Sequence, residues 1–216
     1  MADNKNLVKF RARISYVHLA EAARPMDDQG NETPKFKIEC RIPKDDAKTL
    51  KSIRVAMKEA YVAKFGTDKK QWKPIFREDG FFDEHLSIDG KDGFFLRDGK
   101  YHSSEDPSYE NEVFFSASNK TRPTCGKLVK GGWKRISDPE DIREVLYSGC
   151  YADVVIQVYA FDNKQAKSAG VGASLQAVVF AEDGERLGGG RMSDKDMNSL
   201  FGEEADPEAE DDDLLV

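Results

Sequence analysis

The sequence predicts a mainly β chain: an OB-fold barrel with added strands, one helix of about 20 residues and a disordered acidic C-terminal tail. Three observations predict it. Five or more segments read as strands, and several of them show the apolar–polar alternation of half-buried strands. One long segment carries apolar residues at helical spacing. Residues 203–216 hold eight acids and no base. Strands in that number around one helix fit a small barrel or a sandwich, and an OB-like barrel is the better match.

Leu7 to Leu19 alternates, with Val8, Phe10, Ala12, Ile14 and Tyr16 on one face and Lys9, Arg11, Arg13 and Ser15 on the other. That is a strand with a basic outer face. Residues 20–34 carry Pro25, Gly30 and Pro34 and read as a loop. Lys35 to Ile42 alternates again: Phe36, Ile38, Cys40 and Ile42 point inward, and Lys35, Lys37, Glu39 and Arg41 outward. A helix follows, capped by Asp45 or Asp46 and ended by Gly66. Its stripe of Leu50, Ile53, Met57, Ala60 and Tyr61 is read as core. Residues 67–110 are rich in Asp-Gly pairs, which signal hairpins between short apolar pieces. Glu112 to Asn119 and Thr124 to Trp133 read as strands, and Asp138 to Tyr147 as a short helix. Two long strands come next, Cys150 to Phe161 and Val171 to Phe180. Gly188-Gly189-Gly190 then opens a flexible exit. The domain division predicted is 1–187 for the OB-fold domain, 188–202 for a linker and 203–216 for an acidic interaction tail.

The net charge of −7 is misleading. Without the eight acids Glu203, Glu204, Asp206, Glu208, Glu210, Asp211, Asp212 and Asp213, 33 basic residues face 32 acidic ones. A block of like charge cannot bury apolar surface and repels itself, so disorder is expected there. It serves either solubility or interaction. The three cysteines, Cys40, Cys125 and Cys150, form no CxxC pair and predict neither a disulfide framework nor a zinc site. His18, His85 and His102 are scattered, and no HExxH, GxxxxGK[ST] or GxSxG motif occurs. Gly170-Val171-Gly172 precedes a strand rather than a helix, so a bulge or close strand approach is expected instead of a dinucleotide loop. No catalytic residue, metal or cofactor is predicted, and the chain is expected not to be an enzyme. Charges interrupt Met1 to Leu19 and no apolar run reaches membrane length, so neither signal peptide nor membrane span is expected. The sequons at Asn31 and Asn119 are read as chance matches.

What remains is a binding surface. Residues 113–136 contain no acid and six bases, interleaved with Phe114, Phe115 and Trp133. Phosphates need cations free of nearby carboxylates, and single strands need flat side chains on which bases stack. The nucleic-acid candidates are therefore Phe114, Lys120, Arg122 and Lys127, together with Trp133, Lys134 and Arg135. The basic outer faces add Lys9, Arg11, Arg13, Lys35, Lys37 and Arg41. The strand at 150–161 has an all-apolar even face, whereas its odd face brings Tyr151, Tyr159 and Phe161 among polar residues, with Lys164 just beyond. A generic surface strand pair, or cover by a neighbouring element, remains open for these positions.

From Lys35 to Phe180 the chain resembles the OB-fold single-stranded-DNA-binding proteins of tailed bacteriophages, the helix-destabilising protein family. The matching pieces are Phe36-Lys37-Ile38-Glu39-Cys40-Arg41-Ile42-Pro43 with the helix ending Lys58-Glu59-Ala60-Tyr61, and Lys73-Pro74 with Gly80-Phe81-Phe82-Asp83. Val158-Tyr159-Ala160-Phe161 leading to Gly170-Val171-Gly172-Ala173-Ser174-Leu175, and then the acidic tail, complete the series. Order and spacing carry the likeness more than any single motif. The resemblance implies a barrel whose groove holds single strands, with Tyr159 and Phe161 as stacking residues. It implies roles in phage DNA replication, recombination and repair, in the cytoplasm of the infected bacterial host. It also implies a tail that competes with DNA for the groove. Through Glu208, Glu210, Asp211, Asp212, Asp213, Leu214, Leu215 and Val216 that tail would contact replication proteins such as a DNA polymerase or helicase. Family tails often end in an aromatic residue, so Leu214-Leu215-Val216 is a departure that leaves the tail's partner and a homodimer open. The stretch 84–110 is also longer than the family pattern. Two rival readings stand beside this one: a strand-annealing recombination factor, and an acidic-tailed assembly or interaction protein that binds no nucleic acid.

Overall fold

The structure, a computed structural model, describes residues 6–26, 30–104, 106–163 and 168–187. In chain order these form β1 (Leu7–Ala23), β2 (Lys35–Pro43), α1 (Ala47–Phe65), α2 (Phe81–Glu84), β3 (Arg97–Asp98) and β4 (Glu112–Asn119). They continue with β5 (Thr124–Val129), β6 (Gly132–Ile136), α3 (Pro139–Val145), β7 (Tyr151–Asn163) and β8 (Ser168–Glu182). The hydrogen-bonded order β4-β2-β1-β7-β8 closes on itself because β8 returns to β4 in a parallel pairing at Ser118↔Ser174. The other contacts of this ring are antiparallel. Five strands closed in this order are the OB barrel that the alternation predicted.

β1 reaches two neighbours because it is long and bent. Leu7–Arg13 pairs with β7, and Arg13 onward pairs with β2. The register slips between Ser15 and His18, and Tyr16 there has a left-handed φ of 48°. An inserted residue reverses the in–out phase of the residues after it. Ser15 is therefore buried, and Tyr16, expected on the core face, is 50% exposed. The strand also continues to Ala23, where a loop was expected from residue 20.

The barrel interior takes Val8, Phe10, Ala12 and Ile14 from β1 and Ile38, Cys40 and Ile42 from β2. Ala152, Val154, Ile156 and Val158 face them from β7. α1 packs on β7 and β1. Asp46 caps it by accepting from the Thr49 amide at 3.1 Å, and Gly66 ends it at φ 78°. Its expected stripe is buried, joined by Arg54, which donates to the carbonyls of Phe82, Glu84 and His85 at 2.9–3.3 Å. That fork satisfies carbonyls at the end of α2, which has no turn beyond it.

The described residues of 67–110 form no hairpin. Asp68, Asp98 and Asp106 instead accept amide protons two residues on and start single 3-10 turns, and Asp89 and Asp92 do the same in loops. An aspartate closes such a turn with its own side chain, so Asp-Gly marks a bend here without demanding strands on either side. Trp72, Phe76, Phe81, Phe82 and Phe94 pack around Tyr61 as an aromatic extension of the same core, Tyr61 edge-on to Phe76 at 4.6 Å. A further difference lies at 124–136. The single strand expected is a hairpin, β5–β6, turning at Gly131 (φ 86°), and β5 runs parallel to the end of β8.

Cys40, Cys125 and Cys150 are all buried and free, and burial pushes the thiols of Cys125 and Cys150 up to about 11. No described helix is long and apolar enough to cross a membrane. The glycine exit, the linker and the acidic tail lie outside the described residues.

Candidate nucleic-acid interface

The outer face of β2 and β4 is the floor of a groove. Its cross-strand pairs are Lys37↔Ser118, Glu39↔Ser116 and Arg41↔Phe114. β3 adds Arg97 beside Phe114, and the segment around it folds over one end of the face. A space of about 550 Å³ results, lined among others by Tyr16, Lys37, Arg97, Tyr101, His102 and Ser116. Arg97 and Ser116 also line an adjoining space of about 210 Å³ that ends on Phe161 and Val171. The groove thus runs from β1 across the second and third barrel strands to β7. In OB folds this is the face that takes oligonucleotides and oligosaccharides.

Glu39 also belongs to that floor, but its side chain is buried and held by hydrogen bonds. It accepts from the Tyr109 hydroxyl at 2.7 Å and from Ser15 at 3.1 Å, with Arg97 Nη2 at 3.9 Å. Burial, reinforced by Glu39, pushes the Tyr109 hydroxyl well above its usual range, so it stays a donor. His102 stacks on Tyr109 at 3.8 Å and Nε2 lies 3.4 Å from Glu39. Arg97 lies over the Phe114 ring at 4.2 Å, which fixes a cation on the groove wall. Burial pulls its pKa below the ordinary value, and Glu39 pulls it back.

Two glycines place the aromatics of β7. Tyr159 lies opposite Gly172 and Phe161 opposite Gly170 across the β7–β8 ladder. A Cβ at Gly172 would come within 2.6 Å of the Tyr159 ring, so the bare backbone lets the ring lie flat over β8. At Gly170 a Cβ would meet the Gly93 backbone at 2.2 Å, where the Val171 amide donates to the Gly93 carbonyl. The close backbone approach expected for Gly170-Val171-Gly172 is present at Gly170, whereas at Gly172 the close neighbour is the Tyr159 side chain. Gly172→Ala is therefore expected to tilt Tyr159 off the sheet and weaken nucleic-acid binding several-fold while the melting temperature holds. Gly170→Ala is expected to lower the melting temperature, because two backbones must part. Thermal melts beside an oligonucleotide titration separate the two.

The predicted residues do not form one surface. Lys37 lines the groove, whereas Lys35 opens β2 and pairs with Ala23 of β1. Phe161 closes its end, and Tyr159 is 47% exposed with its ring centroid 6.5 Å from that of Phe161. Lys9 and Arg11 share Asp153 on the β1–β7 face, at 3.3 and 2.9 Å. Arg13 donates to the carbonyls of Gly149 and Glu185, and Tyr151 is exposed on the same strand pair. Lys120 is exposed, and Arg122 donates to the Ala20 carbonyl and lies over Phe36. Lys127, Trp133, Lys134 and Arg135 belong to the β5–β6 hairpin, with Trp133 packed on Gly126. Two residues depart from the surface position that their alternation predicts. Arg41 and Phe114 do point outward from the barrel, but the segment 97–112 covers them and both are buried. Lys164 and the tail residues fall outside the described residues. Tyr16, Arg97 and Tyr101 line the groove and were missed; the exposed Tyr101, next to an Asp-Gly turn, is the one the sequence could have offered.

A closed five-stranded OB barrel with a cation-walled, aromatic-ended groove on its ligand face is an OB-fold binding protein. The family model of the single-stranded-DNA-binding protein of Enterobacter phage Enc34 matches residues 5–215, and the chain belongs to that family. The chain is 29% identical over 194 residues to putative protein p50 of Acyrthosiphon pisum secondary endosymbiont phage 1, covering 88% of this chain and 94% of that one. Its fold is similar to the Enc34 single-stranded-DNA-binding protein solved with ssDNA, at 24% identity and a TM-score of 0.61 over 85% of this chain and 90% of that one. A C-terminal truncation of the same phage protein matches at 23% identity and a TM-score of 0.60, over 84% and 89%.

Proposed function

We propose that this chain binds single-stranded DNA in the β2–β4 groove and coats single strands during phage DNA replication, recombination and repair. The observation that carries the reading is the groove itself: Lys37 and Arg97 on its wall, and Phe161 with Tyr159 at its end, on the oligonucleotide face of an OB barrel. Family membership supports it, as does the complex of the Enc34 protein with ssDNA. Bases stack on the rings and phosphates meet the cations, so binding tolerates any sequence. The groove has no helix to enter a duplex groove, and duplex binds more weakly. The acidic segment 203–216 competes with DNA for cations and contacts replication proteins such as a polymerase or helicase.

The test is an anisotropy titration of full-length protein with a labelled oligonucleotide, single-stranded and duplex, over a salt series. Single strands should bind more tightly at every salt, and log affinity should fall linearly with log salt, each neutralised phosphate adding about 0.7 to the slope. Deleting residues 203–216 should tighten binding most at low salt, the two forms converging as salt rises. Equal affinity for duplex and single strand would remove the stacking model. Identical curves for both forms would remove the competing tail. Duplex product from complementary strands would favour the annealing reading.

A further inference from the structure

The barrel core makes no use of the Tyr16 ring, which is 50% exposed. Its φ of 48° is the one left-handed value at a non-glycine position among the described residues. Such a backbone persists where its surroundings over-determine it, as they do at ligand clamps. Here both neighbours are tied inward. The Ser15 hydroxyl donates to Glu39 at 3.1 Å, and the Val17 amide donates to the Ser148 hydroxyl at 3.5 Å. The ring between them is held outward, its centroid 6.0 Å from that of His102. It lines the groove and also a second cavity of about 280 Å³, so it stands where the two spaces meet. Leu187 gives this cavity an apolar wall, and Ser148 and Asp106 give it polar ones. Among the described residues the Ser148 hydroxyl accepts from Val17 and has no acceptor for its own proton. The Asp106 side chain is 39% exposed. The amide and hydroxyl of Ser108 hold its carboxyl below the ordinary range, with Arg41 and Arg13 adding to the effect, so it acts as an acceptor.

We propose that a single strand lying in the groove continues over Tyr16 and seats one base in this second cavity, where Asp106 selects a base with an exocyclic amino group. The inference rests on the groove reading and adds to it one base-selective position. The cavity suits a base better than a phosphate. A phosphate would meet the Asp106 carboxylate at close range, like charge against like charge. A base brings a flat face for the Tyr16 ring, a ring nitrogen or carbonyl oxygen that accepts from Ser148, and an amino group that donates to Asp106. Cytosine has the last two side by side, its N4 amino group next to the N3 acceptor. Adenine repeats that pair with N6 and N1. Thymine has no amino group, and its single N3–H lies between two carbonyl oxygens, which a carboxylate repels. The rest of the strand is held by stacking and phosphate contacts, so selection is confined to one nucleotide per bound protein.

The test is an anisotropy titration of the full chain with oligothymidylate and oligodeoxycytidylate of equal length, read as the ratio of the two affinities. The two pyrimidines stack differently in any case, so the change of the ratio on substitution is what decides. Asp106→Asn keeps a side chain that caps the turn at the Ser108 amide, and it can present an N–H to a thymine carbonyl. It should shift the ratio several-fold toward thymine. Asp106→Ser also caps the turn but is too short to reach the base, and it should shift the ratio in the same direction. Tyr16→Ala should weaken binding of both oligonucleotides several-fold and bring the ratio to its Asp106→Ser value. A ratio that neither Asp106 substitution changes would overturn the subsite while leaving the groove reading intact. So would a Tyr16→Ala protein that binds like the wild type. An equal rise of both affinities in the Asp106 variants would overturn it too, since that marks a carboxylate beside a phosphate. Wild-type protein that binds neither oligonucleotide would remove the groove reading, and this inference with it.

Discussion

Tyr159→Ala and Phe161→Ala are each expected to weaken single-stranded-DNA binding by about 1–3 kcal/mol, the usual loss for one stacking platform. The two rings come from alternate positions of β7 and sit 6.5 Å apart, so successive bases can share them. Tyr159 is 47% exposed and rests on the bare backbone of Gly172. Its removal uncovers no core and should leave the melting temperature unchanged. Phe161 lines the groove end with Val171 and is half-buried, so a small loss of stability should accompany its loss of binding. The double variant should lose less than the sum of the singles, because neighbouring rings act on the same stretch of strand. Trp133→Ala is the useful contrast. Trp133, also a predicted nucleic-acid contact, is exposed on the β5–β6 hairpin away from these rings, and its change should leave the fold intact. Titration with an oligothymidylate beside thermal melts decides. Unchanged affinity in the Tyr159→Ala and Phe161→Ala variants would move the strand off β7.

The barrel was legible because a period of two is written directly into β1, β2, β4 and β7. The helix was legible from its cap and stripe. Where reading failed, one cause recurs: alternation reports which side of a strand faces the barrel, not what lies over the other side. Arg41 and Phe114 have the phase of surface residues and are surface residues of the barrel, but the segment 97–112 is laid on top of them. That segment has no period of its own, only aspartates closing short turns, so nothing in its pattern places it. Tyr16 failed for a different reason, since one inserted residue in β1 reversed the phase there. The hairpin at 124–136 was read as one strand because Lys130-Gly131 is a weaker turn signal than the Asp-Gly pairs, which in turn announced hairpins that do not exist. In the groove, Lys37 and Phe161 could be read from a single strand each, whereas Arg97 and Tyr101 depend on the covering segment.

Arg41 gives the sharpest test of that distinction, because the same residue is a DNA contact by pattern and a structural ion by position. Its side chain is fully buried, with Nε donating to Glu112, Nη2 to the Ser108 hydroxyl at 2.7 Å, and the guanidinium 3.8 Å from the centroid of Tyr109. It pins the covering segment to the barrel at two points. Arg41→Ala removes one member of a buried pair, a change that costs about 3–5 kcal/mol when the remaining charge stays dry. The Glu112 carboxylate is 16% exposed, so water recovers part of the loss and about 3 kcal/mol is expected. For a chain of this size that lowers the melting temperature by roughly 6–12 °C. Arg41→Lys should recover little, because a single ammonium cannot bridge Glu112 and Ser108 while lying flat on Tyr109. Lys37→Ala should behave in the opposite way. Its side chain is half-exposed in the groove and makes no salt bridge among the described residues, so stability should hold. Affinity for single strands should fall, and the salt slope should decrease by about 0.7, as it does when one fewer phosphate is neutralised. Melting and salt-dependent binding measured on both variants separate the roles. A Lys37→Ala protein with an unchanged slope takes Lys37 off the phosphate path. An Arg41→Ala protein that melts normally and binds weakly would mean that the covering segment lifts in solution and that Arg41 meets the phosphates after all.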